Sequence, residues 1–388
     1  MPGWLYLMGA LTAIGPISID MYLPAFPAMS AGLGVPAGDV ERTLAAYLIG
    51  LAASQVFYGP LADRFGRKPP LYAALGLYIV ASLGCALASD VDALAAWRVL
   101  QAVGGAAGIV IPRAVIRDHY DTRDAARALS MLMLIMGLAP ILAPLVGGQL
   151  LAYTGWRSLF GLMAASGAAL LAAVAYTMKE SLPRDRQVPL SWSNIGRNYL
   201  GLLRHGRFLA FALAGGLGMA GMFSYIVGSP RVFIEYYGVA PQHYGLLFGL
   251  NAAGLIAGSQ FSARLLRRLP PHHLLRTAQR FLAAAGLAAL ALTLAGYMNL
   301  ALLMACIFIY MASQGFVNPN AAALALSGQD GRLGVASALM GTLQLSCGAI
   351  TGLAISAWQS PGPLPLVAVL CACACLSWLA GRAAEALA

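Results

Sequence analysis

Long apolar stretches separated by short polar connections make up most of the 388-residue chain. Each stretch is about 20 residues long, enough for an α-helix rising ~1.5 Å per residue to cross the hydrocarbon core of a bilayer. The alternation of apolar and polar positions that marks strands of a membrane barrel is absent. The pattern therefore predicts twelve α-helical spans, near residues 4–26, 40–62, 69–89, 93–115, 127–152, 157–178, 207–229, 242–264, 273–296, 299–320, 334–358 and 364–383.

Composition agrees with this pattern, since 60% of the residues are apolar and only 10% are charged. Such values exclude a soluble domain of this length. Residues 1–11 contain no Lys or Arg, and the first stretch is long enough to span, so it is expected to remain as a helix rather than act as a cleavable signal.

The basic residues give the expected orientation. Of the 24 Lys and Arg residues, 20 fall in the connections after spans 2, 4, 6, 8 and 10 or at the C-terminus. The positive-inside rule then places both termini in the cytoplasm, with the chain in a bacterial inner membrane. The net charge of +10 is therefore a topology signal, and no nucleic-acid partner is expected because no single exposed domain collects the charge.

A division into two halves is expected from the longest connection, which lies at the middle of the chain. The predicted units are a six-helix bundle over 1–178, a cytoplasmic linker over 179–206 and a second six-helix bundle over 207–388. The segment Arg64–Pro70 aligns with Arg264–Pro270, and Tyr22–Pro27 resembles Tyr225–Pro230. The expected fold is an all-α membrane protein of two pseudo-symmetric bundles that hold a substrate between them.

One acid, Asp20, lies inside the first span. Placing a charge at bilayer depth costs about 2.5–3.5 kcal/mol on insertion scales, so such an acid faces a wet cavity, forms a pair or takes up a proton. A proton that is bound and released can drive transport.

A loop motif follows span 2, where residues 59–69 read GPLADRFGRKP. This pattern resembles motif A of the major facilitator superfamily. The resemblance implies that Asp63 lies against the start of span 11, near Leu333, and latches the cytoplasmic side shut. A solvated loop acid that opposes local arginines is the alternative. The motif positions expected to form the latch are Gly59, Asp63, Arg64, Gly66, Arg67 and Lys68.

Span 4 begins with a second motif, because Arg98, Gln101 and Gly104 fit the family's motif B. An unpaired guanidinium inside the membrane is costly, so Arg98 is expected to point inward to a polar partner and to influence a nearby acid. The alternative is a structural arginine that extends outward to the interface.

Span 5 contains the sequence GLAPILAPLVGG, which resembles the family's motif C, the antiporter motif of drug-exporting members. Two prolines four residues apart remove two backbone donors on one face, and small residues allow close helix approach. The resemblance favours export. The residues of this chain that match motif C are Gly137, Pro140, Pro144, Gly147 and Gly148.

The first span narrows the resemblance further. Residues 20–27, DMYLPAFP, look like the signature of the Bcr/CflA group of drug:proton antiporters, and residues 229–239 are similar to that group's segment after helix 7. The resemblance implies proton coupling through Asp20 and Arg98, with the proton gradient as energy source and no cofactor. Some related exporters have a second acid where this chain has Thr12, so a single titrating acid is expected.

An exporter of varied apolar compounds needs a large adaptable pocket with few polar groups, and methionine supplies adaptability. Packing against lipid or other helices is the alternative for each apolar candidate. No metal site is expected, since the cysteines and histidines lack ligand geometry. The cavity candidates are Asp20, Gln101, Met136, Met219, Met222, Phe223, Asn251 and Gln314.

The expected function is export of drugs or other small amphipathic compounds in exchange for protons, by a protein that contacts the bilayer and works as a monomer. Proton-coupled uptake of a small organic solute is the alternative within the same fold. A membrane-embedded enzyme finds little support because HExxH, GxSxG and clustered ligands are absent. A passive channel does not fit two halves that rock around motif A.

Overall fold

The computed structural model describes residues 3–183, 185, 187, 192–329, 333–358 and 360–387. Twelve helical segments in this part of the chain are long and apolar enough to cross a membrane, which confirms the predicted spans. The helices are α1 Gly3–Asp20, α2 Phe26–Leu33, α3 Ala37–Phe65, α4 Lys68–Leu87, α5 Val91–His119, α6 Thr122–Thr154, α7 Arg157–Thr177, α8 Trp192–Leu203, α9 Gly206–Pro230, α10 Pro241–Leu265, α11 Pro271–Leu294, α12 Leu300–Leu326, α13 Leu333–Ala357 and α14 Leu364–Ala386.

The first span consists of two helices with a break between them. After Asp20 the chain forms a short 3₁₀ turn over Leu23–Ala25 and then begins α2. Pro24 and Pro27 lack the backbone N–H that a continuous helix would need. The predicted end near residue 26 is wrong, because α2 continues until Gly34 adopts a left-handed conformation at φ 66°.

The seventh span also changes geometry near its end. Beyond Pro230 the chain continues as a π-helical turn over Arg231–Tyr236, in which the N–H of Tyr237 donates to the carbonyl of Val232 at 3.1 Å. Irregular turns of this kind occur frequently at functional sites. Here the turn brings Arg231 toward the first half of the molecule.

The middle connection contains α8, a helix that the sequence analysis did not predict. Leu202 of α8 is buried in one cluster with Phe208 and Phe211 of α9. The connection therefore packs against the second part of the molecule rather than serving only as a tether.

We call α1–α7 the first half and α9–α14 the second half. Two seams join the halves, one formed by α3 against α13 and the other by α6 against α10. At the second seam Gly148 lies against the carbonyl oxygen of Pro241, and Gly245 lies against the backbone nitrogen of Leu145. A Cβ atom would not fit at either glycine, so the two backbones approach directly.

The two ends of the molecule differ in charge. One end, called the basic end, holds the connections after α3, α5, α7 and α10, where Arg67 bonds to Asp118 and Arg276 to Glu385. The other end, called the opposite end, holds the connections after α4, α9 and α11. There the halves are joined by the ion pair between Arg231 and Glu41.

Candidate functional site

Asp20 is the last residue of α1 and lies at the helix break. Its side chain is buried, with 3% of the residue exposed, and Oδ1 has no hydrogen-bond partner among the described residues. Burial without donors disfavours the ionised form of a carboxyl group. This carboxyl is therefore suited to hold a proton, and to lose it when water or a cationic group arrives.

The surroundings of Asp20 come from both halves. The 3₁₀ turn just beyond it, Leu23–Ala25, packs against α6 of the first half and against α9 and α10 of the second half. Asp20 thus lies at the junction of the halves, where a change in their relative position changes its environment.

The second half presents an aromatic wall to this junction. Tyr225 stacks on Phe248 with ring centroids 5.4 Å apart, and its hydroxyl accepts a hydrogen bond from Asn251 at 3.0 Å. The hydroxyl of Tyr244 bonds with that of Ser229 at 2.7 Å. Tyrosine rings provide apolar area for an amphipathic molecule, and their hydroxyl groups can orient it by hydrogen bonding.

Sequence reasoning missed Tyr244 as part of this wall. Tyr244 and Phe248 stand four residues apart in a span, with ring centroids 5.8 Å apart, so they share one helix face. That spacing was the available signal. It shows which side of α10 is aromatic but not what the face meets.

Arg98 is completely buried and directed into the first half, not toward lipid. Its Nη2 donates to the carbonyl of Ser18 at 2.9 Å, and its Nη1 donates to Oε1 of Gln101. The guanidinium carbon lies 4.3 Å from the ring centroids of both Tyr22 and Tyr47. These contacts hold the guanidinium at the carbonyl of Ser18, two residues before Asp20.

Asp20 and Arg98 form no ion pair in the described part of the chain. The Arg98 guanidinium instead stacks on the Tyr47 ring and donates to the Ser18 carbonyl near the end of α1. The influence of Arg98 on a proton at Asp20 stays a prediction, and in this arrangement it would operate through Tyr47 and the backbone of α1.

The remaining motif B positions brace the first half. Gln101 donates to Oγ of Ser82 at 2.8 Å and contacts the sulfur of Met163 at 3.5 Å. A Cβ at Gly104 would collide with the carbonyl of Ala74, so α5 and α4 touch backbone to backbone. Gln101 is thus engaged with α4 and α7 and is fully buried, and its contact with substrate stays a prediction.

Motif A forms a network with neighbouring loops at the basic end. Nη1 of Arg67 donates to Asp63 at 2.6 Å and Nε donates to Asp118 at 2.8 Å. Glu180 accepts from the backbone N–H groups of Arg67 at 2.8 Å and Lys68 at 3.0 Å. Burial alone would raise the pKa of the Glu180 carboxyl, but these backbone donors lower its pKa below the ordinary value.

Other motif A positions serve the turn. Gly66 has φ 87°, a left-handed conformation that favours glycine. The Arg64 guanidinium lies 5.9 Å from the Phe65 ring, and the space beside Gly59 is open. Asp63 has a side chain 54% exposed and bonds to Arg67. Residues 330–332, just before α13, lie outside the described residues, so the latch between Asp63 and span 11 stays a prediction.

Motif C lies between the break in α1 and the second half. Gly147 faces the carbonyl oxygen of Met21, next to Asp20, and Gly137 faces the side chain of Ile256 in α10. Pro140 and Pro144 lie inside α6. The motif therefore borders both Asp20 and the seam between the halves.

The other predicted cavity residues are dispersed. Gln314 is fully buried with neither amide atom hydrogen bonded among the described residues, and it lies beside Gly218. Phe223 packs at Gly348, and the sulfur of Met136 is 4.0 Å from Nη2 of Arg113. Met219 and Met222 are half-buried against the core, and Asn251 leaves Oδ1 without a partner in the described chain.

An apolar cavity of about 660 Å³ lies elsewhere, between α10, α11 and α12. Its lining includes Leu269, His273, Phe281 and Phe308, and none of the predicted cavity residues. It is therefore separate from the junction around Asp20.

Twelve spans in two packed halves, with a buried acid at their junction, define a membrane transporter. Comparison with known proteins agrees. The family model of the Major Facilitator Superfamily matches residues 8–352. The solved structure of the peptide transporter POT in complex with sulfate superimposes with a TM-score of 0.77 at 16% identity, over 100% of this chain and 94% of that one.

Curated relatives resemble the chain over nearly its whole length. An uncharacterized MFS-type transporter, YdgK of Bacillus subtilis, is 37% identical over 89% of this chain and 86% of its own. The multidrug resistance protein MdtL of Escherichia fergusonii is 31% identical, covering 95% and 92%. A bicyclomycin resistance protein homolog of Haemophilus influenzae is 28% identical, covering 96% and 94%.

The chain belongs to the major facilitator superfamily, and its motifs and relatives are those of the Bcr/CflA-type group. It is thus a transporter and not an enzyme.

Proposed function

We propose that this transporter exports drugs or other small amphipathic compounds from the cytoplasm in exchange for protons. Both termini lie in the cytoplasm of a bacterial inner membrane, so the basic end faces the cytoplasm and the opposite end faces outward. The observation that carries the proposal is Asp20, a buried carboxyl with Oδ1 unpartnered at the junction of the halves.

The transport cycle follows from competition at this carboxyl. When the outward side is open, water reaches Asp20 and a proton binds. When the cytoplasmic side is open, a compound resting on the wall of Tyr225 and Tyr244 displaces that proton. Proton and cargo then exclude each other, and alternation of the two openings exchanges one for the other.

Two observations favour export over uptake. Gly147 and Gly148 of motif C pack against Met21 and Pro241, so the antiporter motif borders both the acid and the seam between the halves. Relatives that align with almost the whole chain carry names of bicyclomycin and multidrug resistance. Proton-coupled uptake remains the second candidate, and the sign of substrate accumulation in everted vesicles separates the two.

The proton gradient supplies the energy without a bound cofactor, and a monomer contains the whole junction. Arg98 positions Ser18 and Tyr47 beside Asp20 and so sets the field in which the proton binds. When the opposite end is open, Asp63 pairs with the start of α13 and so closes the cytoplasmic side.

The test is proton release from detergent-purified protein when bicyclomycin or another drug is added. Wild type should release protons, and Asp20→Asn should release none while keeping its thermal stability. Asp92→Asn is the matched control, since Asp92 is an acid with an 83% exposed side chain at the opposite end. Release that persists in Asp20→Asn would assign the exchanged proton to another group.

A further inference from the structure

A second buried acid lies at the opposite end, where the halves meet. Glu41, near the start of α3, has a side chain 0% exposed, and its Oε1 is 3.3 Å from Nε of Arg231. Glu41 belongs to the first half and Arg231 to the second. The pair therefore crosses the surface that must separate when this end opens.

The geometry of this pair gives the Glu41 carboxylate little support. Within the described residues neither Oε1 nor Oε2 of Glu41 accepts a hydrogen bond, and Nε of Arg231 donates none. Nη2 of Arg231 instead reaches the carbonyl oxygens of Ile355 and Trp358, both at 3.4 Å. A buried carboxylate needs good geometry and additional donors to remain ionised, and this one lacks them.

The other charged groups near Glu41 also favour its protonation. Glu235, one turn beyond Arg231, is exposed, and its charge acts on Glu41 while it also interacts with Arg231. Of the two carboxyl groups near this guanidinium only Glu41 forms an ion pair with it, and repulsion between the carboxyls favours a proton on one of them. Glu41 is buried and Glu235 is exposed, so the proton is expected on Glu41. Arg42, the next residue, offers no compensation because it bonds to Asp92 at 2.6 Å.

Neutral Glu41 would not leave Arg231 without partners. The carbonyl oxygens of Ile355 and Trp358 continue to accept from its Nη2. The contacts from α13 are backbone carbonyls, so no further acid or base enters from that helix. The closed arrangement therefore accommodates a protonated Glu41 beside a charged Arg231.

We propose that Glu41 is a second proton-binding site, which takes up a proton as the opposite end closes and releases it as that end opens. On closing, the carboxylate accepts a proton from the solvent on that side to form a neutral carboxyl. On opening, Glu41 separates from Arg231, meets water and loses the same proton to that solvent. The inference rests on the proposed alternating access but not on Asp20.

This site makes the conformation sensitive to acid on the outer side. The state that binds the proton more tightly is favoured as pH falls, and here that state is the closed one. Acidification should therefore close the opposite end, independently of the proton that exchanges with cargo.

The experiment measures closure directly in an Asp20→Asn background, which removes the proposed exchange proton. Spin labels are attached at Ser89→Cys and Tyr297→Cys, two exposed positions at the opposite end in different halves, after replacement of the native cysteines. Distances are recorded by electron paramagnetic resonance in lipid nanodiscs from about pH 8 to about pH 5. The open population should decrease as the pH is lowered.

Three variants assign this pH dependence. Glu41→Gln should keep the end closed at every pH and abolish the dependence. Glu235→Gln removes the competing acid, so the midpoint should move to lower pH by about one unit. Asp90→Asn neutralises an exposed acid at the same end and keeps an acceptor for the N–H of Ala93, so it should leave the profile unchanged.

Two results would overturn the proposal. If Glu41→Gln opens the end at every pH, the residue is an ordinary ion-pair latch; if Glu41→Gln retains the pH dependence, the proton binds elsewhere. Should Glu41→Gln fail to fold, infrared difference spectra decide. The neutral carboxyl band of the closed state must shift in Glu41→Asp, and an unshifted or absent band excludes Glu41. Cargo-driven proton release measured in Glu41→Gln, where the second site has no carboxyl to titrate, tests Asp20 separately.

Discussion

Gly147 of α6 lies against the backbone carbonyl oxygen of Met21, so closely that a Cβ atom at position 147 would occupy the space of that oxygen. Met21 follows Asp20 directly. The antiporter motif is therefore in backbone contact with the residue next to the buried acid, and any side chain added to Gly147 must displace the helix break that follows Asp20.

We predict that Gly147→Ala destabilises the protein and abolishes export. Overpacking of this kind costs about 1–3 kcal/mol, and here the obstructing atom belongs to backbone, which cannot move aside as a side chain would. Thermal stability of the purified protein and drug resistance of a host that lacks its own exporters measure the two effects.

Gly161→Ala is the matched control, because nothing lies within 4 Å of the position its Cβ would take. It should retain stability and export. Normal export by Gly147→Ala would show that α6 and α1 can separate without loss of coupling.

A second prediction concerns Arg98, which is held between Tyr22 and Tyr47 and donates to Ser18 and Gln101. Arg98→Lys keeps the charge but loses the planar stacking and one of the two directed bonds. Stability should fall by about 1.5–3 kcal/mol, the range for a lost charged hydrogen bond, and proton release should weaken.

For comparison, Arg264→Lys alters an arginine near the basic end that lies 5.8 Å from the Phe261 ring, and its unfolding temperature should stay close to wild type. Equal stability of Arg98→Lys and wild type would contradict the assigned contacts.

A third prediction follows from Glu180. Its pKa is lowered in the folded protein, so its contribution to stability is present above its unfolded value, about 4.3, and is lost as the pH falls through the folded pKa. Glu180→Gln should therefore melt at a lower temperature than wild type near neutral pH. The difference should vanish in strong acid.

Melting curves of both proteins over that pH range provide the measurement, with Asp185→Asn as an exposed acid in the same connection. If the difference in melting temperature between Glu180→Gln and wild type does not change with pH, the negative charge of Glu180 does not stabilise the loop.

A fourth prediction concerns Gln314, whose amide is buried without hydrogen bonds among the described residues. Gln314→Leu removes the cost of burying an unsatisfied amide, so stability should rise by about 1–3 kcal/mol. If the Gln314 amide binds substrate, the range of exported drugs should change at the same time.

Gln344→Leu supplies the contrast, since this amide donates to Asn318 at 3.0 Å and its loss should destabilise the protein. An unchanged drug profile in stable Gln314→Leu would exclude Gln314 from the substrate cavity.

The sequence predicted the spans well because length and hydropathy are local properties of the chain. Break points were harder to predict. Pro24 and Pro27 indicate an interruption after Asp20. The end of the span, however, depends on the left-handed conformation of Gly34, and the residues around Gly34 do not distinguish it from other glycines. The helix α8 was missed although apolar residues recur at helical spacing over Trp192–Leu203; what the sequence does not show is that Leu202 packs against α9.

Relationships between distant residues could not be read from the chain. Glu41 and Arg231 meet only because the halves pack together, and Arg67 meets Glu180 only because three loops converge at one end. Motif resemblance located Arg67 and Arg98, yet their contacts with Asp118 and Tyr47 depend on packing between distant segments.

The interruption after Asp20 divides the first span into a long shaft and a short tip. Hydrogen bonding along the backbone changes pattern between Tyr22 and Phe26, where Ala25 donates to Tyr22 in place of a regular α-helical bond. The two parts also pack differently, since α2 lies against α3 whereas α1 lies against α5 and α6. In the proposed cycle, a small rotation at this interruption would be enough to carry the Asp20 carboxyl from a dry to a wet setting without bending a whole helix.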